Sequence, residues 1–532
     1  MAGTLAAGPG EGARPAALPA ASPATVPEEP QPLTGARLII GAFALALANF
    51  IVVLDTSIAN VAVPHIAGGL AVSPTQGTWV ITSYAVADAI SVPLTGWLAG
   101  RFGSVRWFLI SMLGFGLCSL LCGLATTLPM LVAFRVMQGL MGGPLMPLSQ
   151  TLLLRIFPKN RQPVALSIWA MTTTTAPILG PILGGTISDN WSWPWIFFIN
   201  LPIVAICFFG VQRMITPFET RTVRARIDYV GLALLVLFVG ALQIMLDTGR
   251  EYDWFESRWI IGLAITAAIG FAAFLIWELT ERDPIVDVRV FRHRGFVAGV
   301  LAISLGFGAF FAQIVLTPLW LQQVLGYTAT NAGYVVAWVG LFAVLVSPFA
   351  ARLVARVDVR FLITAGIGWL FLMSLLRTQW TTDSDYWQLA LPHLLQGIGM
   401  PFFFIGLTAL ALGAVPADKV VSAAGLMSFM RTLAGAIGTA VATTLWDDSS
   451  ERMRSELVPA LHDVGRTSAL IEAGGASPEQ ARAAIDRLVE AQAATIGAAH
   501  VYQVAASVFL IAALAVWLAP KPRGGGIPTA SH

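Results

Sequence analysis

Long apolar stretches follow one another along most of this chain and are separated by short polar segments. Each is about 20 residues long, the length with which an α-helix crosses the roughly 30 Å hydrocarbon core of a bilayer. A transmembrane barrel would instead show apolar and polar residues in alternation. The pattern therefore predicts an all-α integral membrane protein. Its fourteen predicted spans cover residues 38–60, 77–98, 106–126, 129–153, 164–188, 195–214, 229–247, 258–279, 296–320, 332–354, 360–378, 387–412, 420–446 and 499–518.

The charged residues agree with this class and also indicate an orientation. They make up only 11% of the chain, whereas soluble proteins carry about 25%. Most basic residues near the spans fall in alternate short loops, and the loops between them hold only Arg250, Arg258 and Arg377. Because basic residues collect in cytoplasmic loops, both termini are predicted to be cytoplasmic. The alternation of these loops with apolar spans argues against a nucleic-acid partner.

The two ends of the chain resemble each other. Arg135 and Gln138 in span 4 are matched by His393 and Gln396 in span 12, and the loop after span 2 resembles the loop after span 10. Both matches have offsets of about 255 residues, so spans 1–6 correspond to spans 9–14 and spans 7 and 8 are an insertion. Repeated halves of this kind suit a transporter that rocks around a central site.

This repetition divides the chain into parts. Residues 1–33 are rich in Ala, Pro and Gly and lack an apolar core, which is typical of disorder. The predicted parts are a disordered cytoplasmic tail at 1–33, a six-helix half at 34–214, two inserted transmembrane helices with their inner loops at 215–290, a second six-helix half at 291–519 and a cytoplasmic tail at 520–532.

The predicted outer loop at 447–498 is much longer than the others. Ser477 is a candidate capping residue, with Gln480 three positions later, and the pattern predicts a helix over 481–494. Two interpretations of this loop remain open. It is either a solvated helical hairpin or a docking surface for a periplasmic partner.

Five stretches resemble motifs of a known family. They are 54–64 in span 1, 96–103 in the first inner loop, 135–139 in span 4, 176–185 in span 5 and 195–202 at the start of span 6. In this order they make the chain similar to the major facilitator superfamily, and within it to the fourteen-span drug:proton antiporters of the EmrB type. The resemblance covers roughly residues 34–520.

The resemblance implies a major facilitator fold and a proton-coupled antiporter that exports hydrophobic or cationic toxic compounds and drugs by alternating access. It also implies a bacterial inner-membrane location and a tripartite efflux system with a periplasmic membrane-fusion adaptor and an outer-membrane channel. An exporter of an endogenous metabolite or siderophore is the alternative. We expect no enzymatic activity, no cofactor and no metal, since the sequence contains neither a phosphate-binding loop nor ligand spacing.

Two ionisable side chains lie at similar depths in spans 1 and 4. Asp55 is nine residues before Pro64, or roughly 13 Å from the outer end of its span, and Arg135 is about 9 Å from the outer end of its own. An ion pair between them would either couple proton uptake to transport or be purely structural. His393, which matches Arg135, would either take part in proton coupling or be a hydrogen-bonded histidine.

Other polar side chains at mid-membrane depth are candidates for a substrate cavity. Asp88 lies about ten residues into span 2 and Arg431 about eleven into span 13. Asp88 either binds a cationic substrate or faces a watery cleft without binding, and Arg431 would pair with Asp88 or act as a gate. The remaining cavity candidates are Gln138, Trp169, Gln313, Trp338, Gln396 and Phe403. Core packing explains the aromatic members as well.

Two groups of residues predict gating and helix packing. In the first inner loop, Gly96 and Gly103 allow a tight turn, and Arg101 and Arg106 can bond helix ends or simply anchor the loop. In span 5, small residues and prolines allow close helix approach and a kink, and the resemblance implies an interface between the halves there. The span 5 residues are Pro177, Gly180, Pro181, Gly184 and Gly185.

Overall fold

The computed structural model describes residues 3–4, 31–220, 222, 227–354, 356–461 and 464–521, and no strand occurs among them. The chain from Pro32 onward forms one compact unit. Most of the preceding unit, Met1–Gln31, lies outside the described residues, and so do most of the predicted tails at 1–33 and 520–532.

Among the described residues, the first half contains ten α-helices. They are α1 (Gly35–Gly69), α2 (Pro74–Gly77), α3 (Trp79–Ser91), α4 (Thr95–Phe102), α5 (Ser104–Gly123), α6 (Leu128–Gly142), α7 (Leu145–Ile156), α8 (Gln162–Asn190), α9 (Trp195–Phe198) and α10 (Asn200–Met214). Pro93 lies between α3 and α4, and Pro144 lies between α6 and α7. Because proline has no N–H to donate, it interrupts the helical hydrogen bonds at both places. Predicted spans 2 and 4 are therefore each built from two helices.

The rest of the described chain continues in the same way. The inserted helices are α11 (Tyr229–Thr248) and α12 (Arg258–Thr280). The second half contains α13 (Arg294–Gln323), α14 (Ala329–Val354), α15 (Val359–Arg377), α16 (Tyr386–Gly413), α17 (Val420–Ala460), α18 (Val464–Ala473) and α19 (Pro478–Ala515). The first half has an apolar core of its own, and the core of the second half extends onto α11 and α12 and onto parts of α3, α7 and α8 in the first half.

The number of unbroken spans is smaller than the sequence predicts. Among the described residues, eleven helices are long and apolar enough to cross a membrane, or twelve if the bent α8 is counted as one span. The difference from fourteen lies in predicted spans 2 and 4, since α3, α4, α6 and α7 are each too short to cross alone. The chain is a multi-pass helical membrane protein.

One of the inserted helices, α11, covers a seam between the two halves. α11 packs against α3 of the first half and against α17 of the second. Phe238 of α11 meets Phe429 of α17 edge to face, with ring centroids 6.3 Å apart. Just after the end of α11, Arg250 forms an ion pair of 2.6 Å with Asp447 of α17. The insertion is thus attached to both halves.

The segment at 447–498, the predicted outer loop, is largely helical in its described residues. Ser477 and Gln480 form the predicted capping box at the start of α19, so the helix predicted over 481–494 is confirmed. It continues without a break into the last predicted span, and α17 likewise continues to Ala460. An ion pair of 2.7 Å between Arg454 and Asp486 joins the two extensions.

Candidate functional site

A buried ion pair joins α1 to α6. Arg135 Nη1 lies 2.6 Å from Asp55 Oδ2, and each side chain is about 1% exposed. Arg135 also donates from Nη1 to Gln138 Oε1 at 2.8 Å and from Nε to the carbonyl oxygen of Val80 at 3.1 Å. The contact that the sequence predicted between Asp55 and Arg135 is present, and its role in proton coupling stays a prediction.

The Asp55 carboxylate has further donors. Its Oδ1 accepts hydrogen bonds from Asn200 Nδ2 at 2.6 Å and from Gln138 Nε2 at 3.2 Å. Asn200, at the start of α10, also donates to Ser119 Oγ on α5 at 2.9 Å. Buried charges need such partners. The sequence analysis missed Asn200, although a lone asparagine in the apolar run 195–202 was a usable signal.

Close packing of α3 against α6 places an aromatic ring beside Arg135. The guanidinium carbon lies 4.1 Å from the centroid of the Tyr84 ring. A Cβ atom on Gly139 would lie 2.9 Å from Ala87 Cβ, and one on Gly142 would lie 2.8 Å from Tyr84 Oη. The two glycines therefore allow this helix approach, and the approach allows a desolvated cation–π contact.

A second buried polar cluster lies in the second half. Arg377 is about 1% exposed at the end of α15 and donates to Gln313 Oε1, Gln396 Oε1 and, at 3.1 Å, His393 Nδ1. Its guanidinium carbon lies 5.9 Å from the centroid of the Trp380 ring. The sequence analysis placed Arg377 in a short outer loop, and this was wrong because α15 reaches Arg377 and its side chain is buried in the bundle.

The two clusters occupy matching positions in the two halves. Asp55, Ser119, Arg135 and Gln138 lie 258 residues before Gln313, Arg377, His393 and Gln396, respectively. The second cluster therefore has a glutamine in place of the aspartate, a histidine in place of the arginine and an arginine in place of the serine. This common offset is the signal that could have identified Arg377 from the sequence.

Arg431 of α17 reaches the first half. Its guanidinium carbon lies 4.8 Å from the Trp169 ring centroid and 5.4 Å from that of Phe307, and Nη2 contacts Met146 Sδ. Its Nη1 is buried without a hydrogen-bond partner. Asp88 is near enough to interact with Arg431 electrostatically, yet the described residues show no ion pair between them. The predicted pairing of these two side chains is thus not formed in this conformation.

Several buried polar groups near Arg431 also lack partners. They include Trp169 Nε1, the side-chain oxygen of Asn49 and the whole amide of Gln150. Asn49 adjoins Trp169, because its Nδ2 lies 3.5 Å from the Trp169 carbonyl oxygen. Gln150 is one helical turn after the methionine that contacts Arg431. The sequence analysis missed Asn49 and Gln150, whose signal is an amide within an apolar span.

The structure does not bring the remaining cavity candidates to Arg431. The three predicted cavity glutamines belong to the two polar clusters described above. Phe403 is fully buried against Phe404, with ring centroids 4.9 Å apart, and is part of the core of the second half. Trp338 is half-buried, and its Nε1 donates to Tyr386 Oη at 3.0 Å. Core packing therefore accounts for both aromatic side chains.

The N-terminal ends of α4 and α17 are in contact. A Cβ atom on Gly96 would lie 2.8 Å from Ser422 Cα, and one on Gly425 would lie 3.2 Å from the Val92 carbonyl oxygen. Glycine is required for so close an approach of two helices. This seam between the halves is closed on the side of the first predicted inner loop.

The turn between α4 and α5 is fixed by an acid that the sequence analysis missed. Gly103 has φ +94°, which favours glycine. Glu219, just after α10, accepts hydrogen bonds from the backbone N–H groups of Val105 and Arg106, each at 2.9 Å. The side-chain pair between Arg106 and Glu219 is long, at 4.0 Å, and Arg106 is 74% exposed, so it contributes little.

Arginines from the two matching predicted inner loops lie at helix ends and contact residues of their own half. Arg101, near the end of α4, lies over the rings of Trp97 and Phe102, with its guanidinium carbon 5.8 and 5.9 Å from their centroids. At the start of α15, Arg360 donates from Nη2 and Nε to the Asp358 carboxylate at 3.0 and 3.3 Å. These hydrogen bonds from Arg360 lower the pKa of the Asp358 carboxyl.

The small residues of α8 pack this helix against α1. Ser57 Oγ donates to the Pro177 carbonyl oxygen at 3.0 Å. A Cβ atom on Gly180 would lie 2.9 Å from the Ser57 carbonyl carbon, and one on Gly184 would lie 3.0 Å from the Ile58 carbonyl oxygen. These contacts of Gly180 and Gly184 lie within the first half, whereas α8 as a whole also packs against α14 and α16 of the second half. The implied role of the motif at the interface between the halves therefore stays a prediction.

Two other residues of this motif have different surroundings. A Cβ atom on Gly185 would meet no heavy atom within 4 Å, and the side chain of Pro181 lies outside the described residues. The predicted kink in this helix is confirmed, because the straight parts of α8 on either side of residues 178–181 meet at 43°. α8 also borders α14 of the second half.

The described residues contain no group of three or more His, Cys, Asp or Glu that could hold a metal ion. Cys118, Cys122 and Cys207 are buried free thiols. Cys122 Sγ lies 3.5 Å from Gln138 Oε1, at the edge of the first cluster. The polar chemistry of both clusters is therefore that of hydrogen bonds and charges.

The sequence profile of the Major Facilitator Superfamily matches residues 45–439. The chain belongs to the major facilitator superfamily. A match of this extent includes helices of both halves and the insertion between them.

Among members of the superfamily, the chain is similar to the multidrug export protein EmrB of Escherichia coli strain K12. The two are 44% identical over 509 residues, which are 94% of this chain and 98% of the relative. The fatty acid resistance protein FarB of Neisseria gonorrhoeae is 43% identical over 501 residues, which are 93% and 99% of the two chains. The chain is thus an EmrB-type member of the major facilitator superfamily.

A solved structure supports the major facilitator fold. The crystal structure of the human organic anion transporter MFSD10 (TETRAN) aligns with a TM-score of 0.57, covering 91% of this chain and all of that one. The sequence identity is 14%, so the likeness concerns the fold alone.

Proposed function

We propose that this protein is a proton-coupled antiporter that exports hydrophobic or cationic drugs and other toxic compounds by alternating access. The observation that carries this proposal is the buried pair of Asp55 and Arg135, with an ion-pair distance of 2.6 Å. Buried charges in membrane proteins usually serve transport. The similarity to proteins named for multidrug export supports the choice of substrates.

The coupling step is the loss of charge on Asp55. A proton on its carboxylate removes the partner of Arg135 and leaves the guanidinium uncompensated in a dry environment, which strongly favours rearrangement. Three helices respond directly, since the carboxylate lies on α1 and its donors lie on α6 and α10. Proton uptake on one side and release on the other therefore bias which face of the protein is open.

The substrate cavity lies around Arg431 and Asp88. Trp169 and Phe307 offer apolar faces there, and Gln150 offers a free amide. Asp88 forms no ion pair within the described residues and is available to a cationic group. A few polar groups on an apolar surface suit binding of varied substrates. We assign His393 no proton transfer, because its hydrogen bond to an arginine favours the alternative of a hydrogen-bonded histidine.

We propose fourteen spans with both termini in the cytoplasm of a bacterium whose inner membrane holds the protein. In this topology the pairs α3–α4 and α6–α7 each cross the membrane once as a broken span. The proline between the helices of each pair supports this, since broken spans are tolerated where neighbouring helices satisfy the freed backbone groups. The predicted basic inner loops support the orientation.

The proposed tripartite system places the outer ends of α17 and α19 against a periplasmic adaptor, which would join an outer-membrane channel. Leu470 and Leu488 on this outer segment are 68% and 62% exposed. Exposed apolar side chains beyond the span are consistent with a protein contact.

The test of the coupling step is the Asp55→Asn variant in inverted membrane vesicles with an imposed pH gradient. We expect uptake of a fluorescent drug to fall to the level of vesicles without the protein, because asparagine cannot exchange a proton. Substrate counterflow, which needs no net proton movement, should persist in the same vesicles. The Asp448→Asn variant, at an exposed outer position, should keep both activities.

Undiminished gradient-driven uptake by the Asp55→Asn variant would overturn the proposed coupling. Loss of counterflow together with normal membrane insertion would favour the structural alternative for the ion pair. A collapsed proton gradient should stop uptake by the unaltered protein, whereas removal of ATP should not.

A further inference from the structure

A small cavity adjoins the polar cluster around Arg377. Arg377 and His393 line it together with apolar side chains of α13 and α14, among them Phe310, Ile314 and Val339. Its volume of about 10 Å³ is close to the least that one water molecule needs. The cavity has room for a water molecule or a small ion, and no room for a drug.

Arg377 brings an uncompensated positive charge to this cavity. It is about 1% exposed, and its partners are two glutamine oxygens, His393 Nδ1 and the face of Trp380. No Asp or Glu of the described residues forms an ion pair with it. The corresponding cluster of the first half contains its own aspartate. Since a buried cation without a counter-ion is strongly unfavourable, the second cluster requires a negative charge from elsewhere.

Two N–H groups of the cluster are also without partners. Arginine can only donate, so His393 Nδ1 accepts from Arg377 and the ring of a neutral His393 carries its hydrogen on Nε2. His393 Nε2 and Arg377 Nε are both buried and have no hydrogen-bond partner. Donors without acceptors, beside a positive charge, form an arrangement that binds an anion and repels a cation.

We infer that this cavity binds a monovalent anion. The position of Gln313 corresponds to that of Asp55, so the second half uses an exchangeable anion where the first half uses a fixed carboxylate. The anion is a free halide such as chloride or the carboxylate of an amphipathic acid. In the second case only the carboxylate enters the cavity, and the acyl chain lies outside it. Both sources supply the same charge and the same acceptor atoms to Arg377.

The experiment measures thermal unfolding of the full-length protein in detergent while chloride replaces gluconate at constant pH and ionic strength. The whole gluconate ion is too large for the cavity, and its hydroxylated chain, unlike an acyl chain, is too polar to lie in the apolar bundle beside it. We expect the Tm to rise by roughly 2–5 °C and to saturate, as it does when a ligand binds only the folded state. Decanoate, with decanol as the uncharged control, tests the carboxylate source in the same assay.

Two variants link the effect to this cluster. Gln313→Glu supplies a fixed carboxylate, so its Tm in gluconate should equal that of the unaltered protein in saturating chloride and should not rise further. Arg377→Gln removes the charge and should abolish the response. Arg360→Gln, which removes a half-buried arginine that has its own acid, is the control and should keep the response.

A response to chloride identifies a free ion, and a response to decanoate without one to decanol or chloride identifies an amphipathic acid. Either result supports the anion site when Gln313→Glu abolishes it. The inference is overturned if the unaltered protein responds to neither anion, or if the Gln313→Glu variant responds as strongly as the unaltered protein does. If a variant does not fold, the response of the unaltered protein alone decides the outcome.

Discussion

Both the shape and the charge of the Arg135 side chain determine its contacts. Nε and Nη1 point to different acceptors, the carbonyl oxygen of Val80 and the side chains of Asp55 and Gln138, while the face of the guanidinium lies on Tyr84. A planar group with several fixed donors can make all of these contacts at once. A lysine ammonium is a point charge and cannot.

The Arg135→Lys variant should therefore fold less stably although its charge is unchanged. We expect the free energy of unfolding to fall by about 1–3 kcal/mol, since buried acceptors lose their donors. Thermal unfolding in detergent checks this. The Arg106→Lys variant, in which the replaced side chain is 74% exposed, should change stability by less than about 0.5 kcal/mol. Equal effects of the two variants would show that the shape of Arg135 is unimportant.

The sequence alone predicted some residues of the candidate site and failed to predict others. Asp55 and Arg135 stand out because they interrupt long apolar runs, and helical rise alone places them at similar depths. Arg377 was misplaced because it is the last residue of α15, where a charged side chain normally reaches the membrane surface. Asn200 and Glu219 were missed because each acts through neighbours that only the packed helices bring together.

At the scale of elements, the contact between α4 and α17 closes the seam between the two halves. Gly96 on α4 faces Ser422 on α17, and Gly425 on α17 faces the end of α3. Each glycine therefore contributes to closing the same seam. Gly100 lies one turn after Gly96 on α4, and a Cβ atom there would meet no heavy atom within 4 Å. The chain thus offers a test position and a matched control on one helix.

The Gly96→Leu variant should separate the N-terminal ends of α4 and α17, because a Cβ atom would overlap Ser422. With Ser422→Cys added, we expect a water-soluble maleimide to label this thiol several-fold faster than in the parent protein. The native cysteines are buried and give a low background. Adding Gly100→Leu to Ser422→Cys should leave the rate unchanged. Equal labelling rates in all three proteins would show that this contact does not close the seam.

The sequence predicted the position of most helices but not their continuity. Hydropathy measures the apolar length of a segment, so it joined α3 to α4 across Pro93 and separated the helix over 481–494 from the last span. The capping residues predicted the start of this helix correctly, because α19 begins directly after its N-cap Ser477. The seam that α11 covers could not be predicted, since it depends on long-range pairs such as Phe238 with Phe429.

At the scale of the whole molecule, the two halves repeat the same fold but differ in the charges of their buried polar clusters. The sequence offset revealed two halves because both keep polar residues at equal spacings. It did not reveal that the first half pairs its buried Arg135 with an acid whereas the second half, among the described residues, leaves the buried Arg377 without one. The reason is that Arg377 occupies the position of Ser119 and not that of Arg135. The path of the chain through the membrane has to fit this repetition.

That path can be tested with single cysteines in right-side-out membrane vesicles. If α3–α4 and α6–α7 each cross once, the Ala71→Cys and Thr127→Cys variants should react with an impermeant maleimide at once. The Arg106→Cys and Lys159→Cys variants should react only after permeabilisation. All four positions are exposed, so differences in labelling report on the side of the membrane and not on burial. Labelling of Ala71→Cys and Arg106→Cys from the same side would contradict a broken span at α3–α4, and Thr127→Cys with Lys159→Cys tests α6–α7 in the same way.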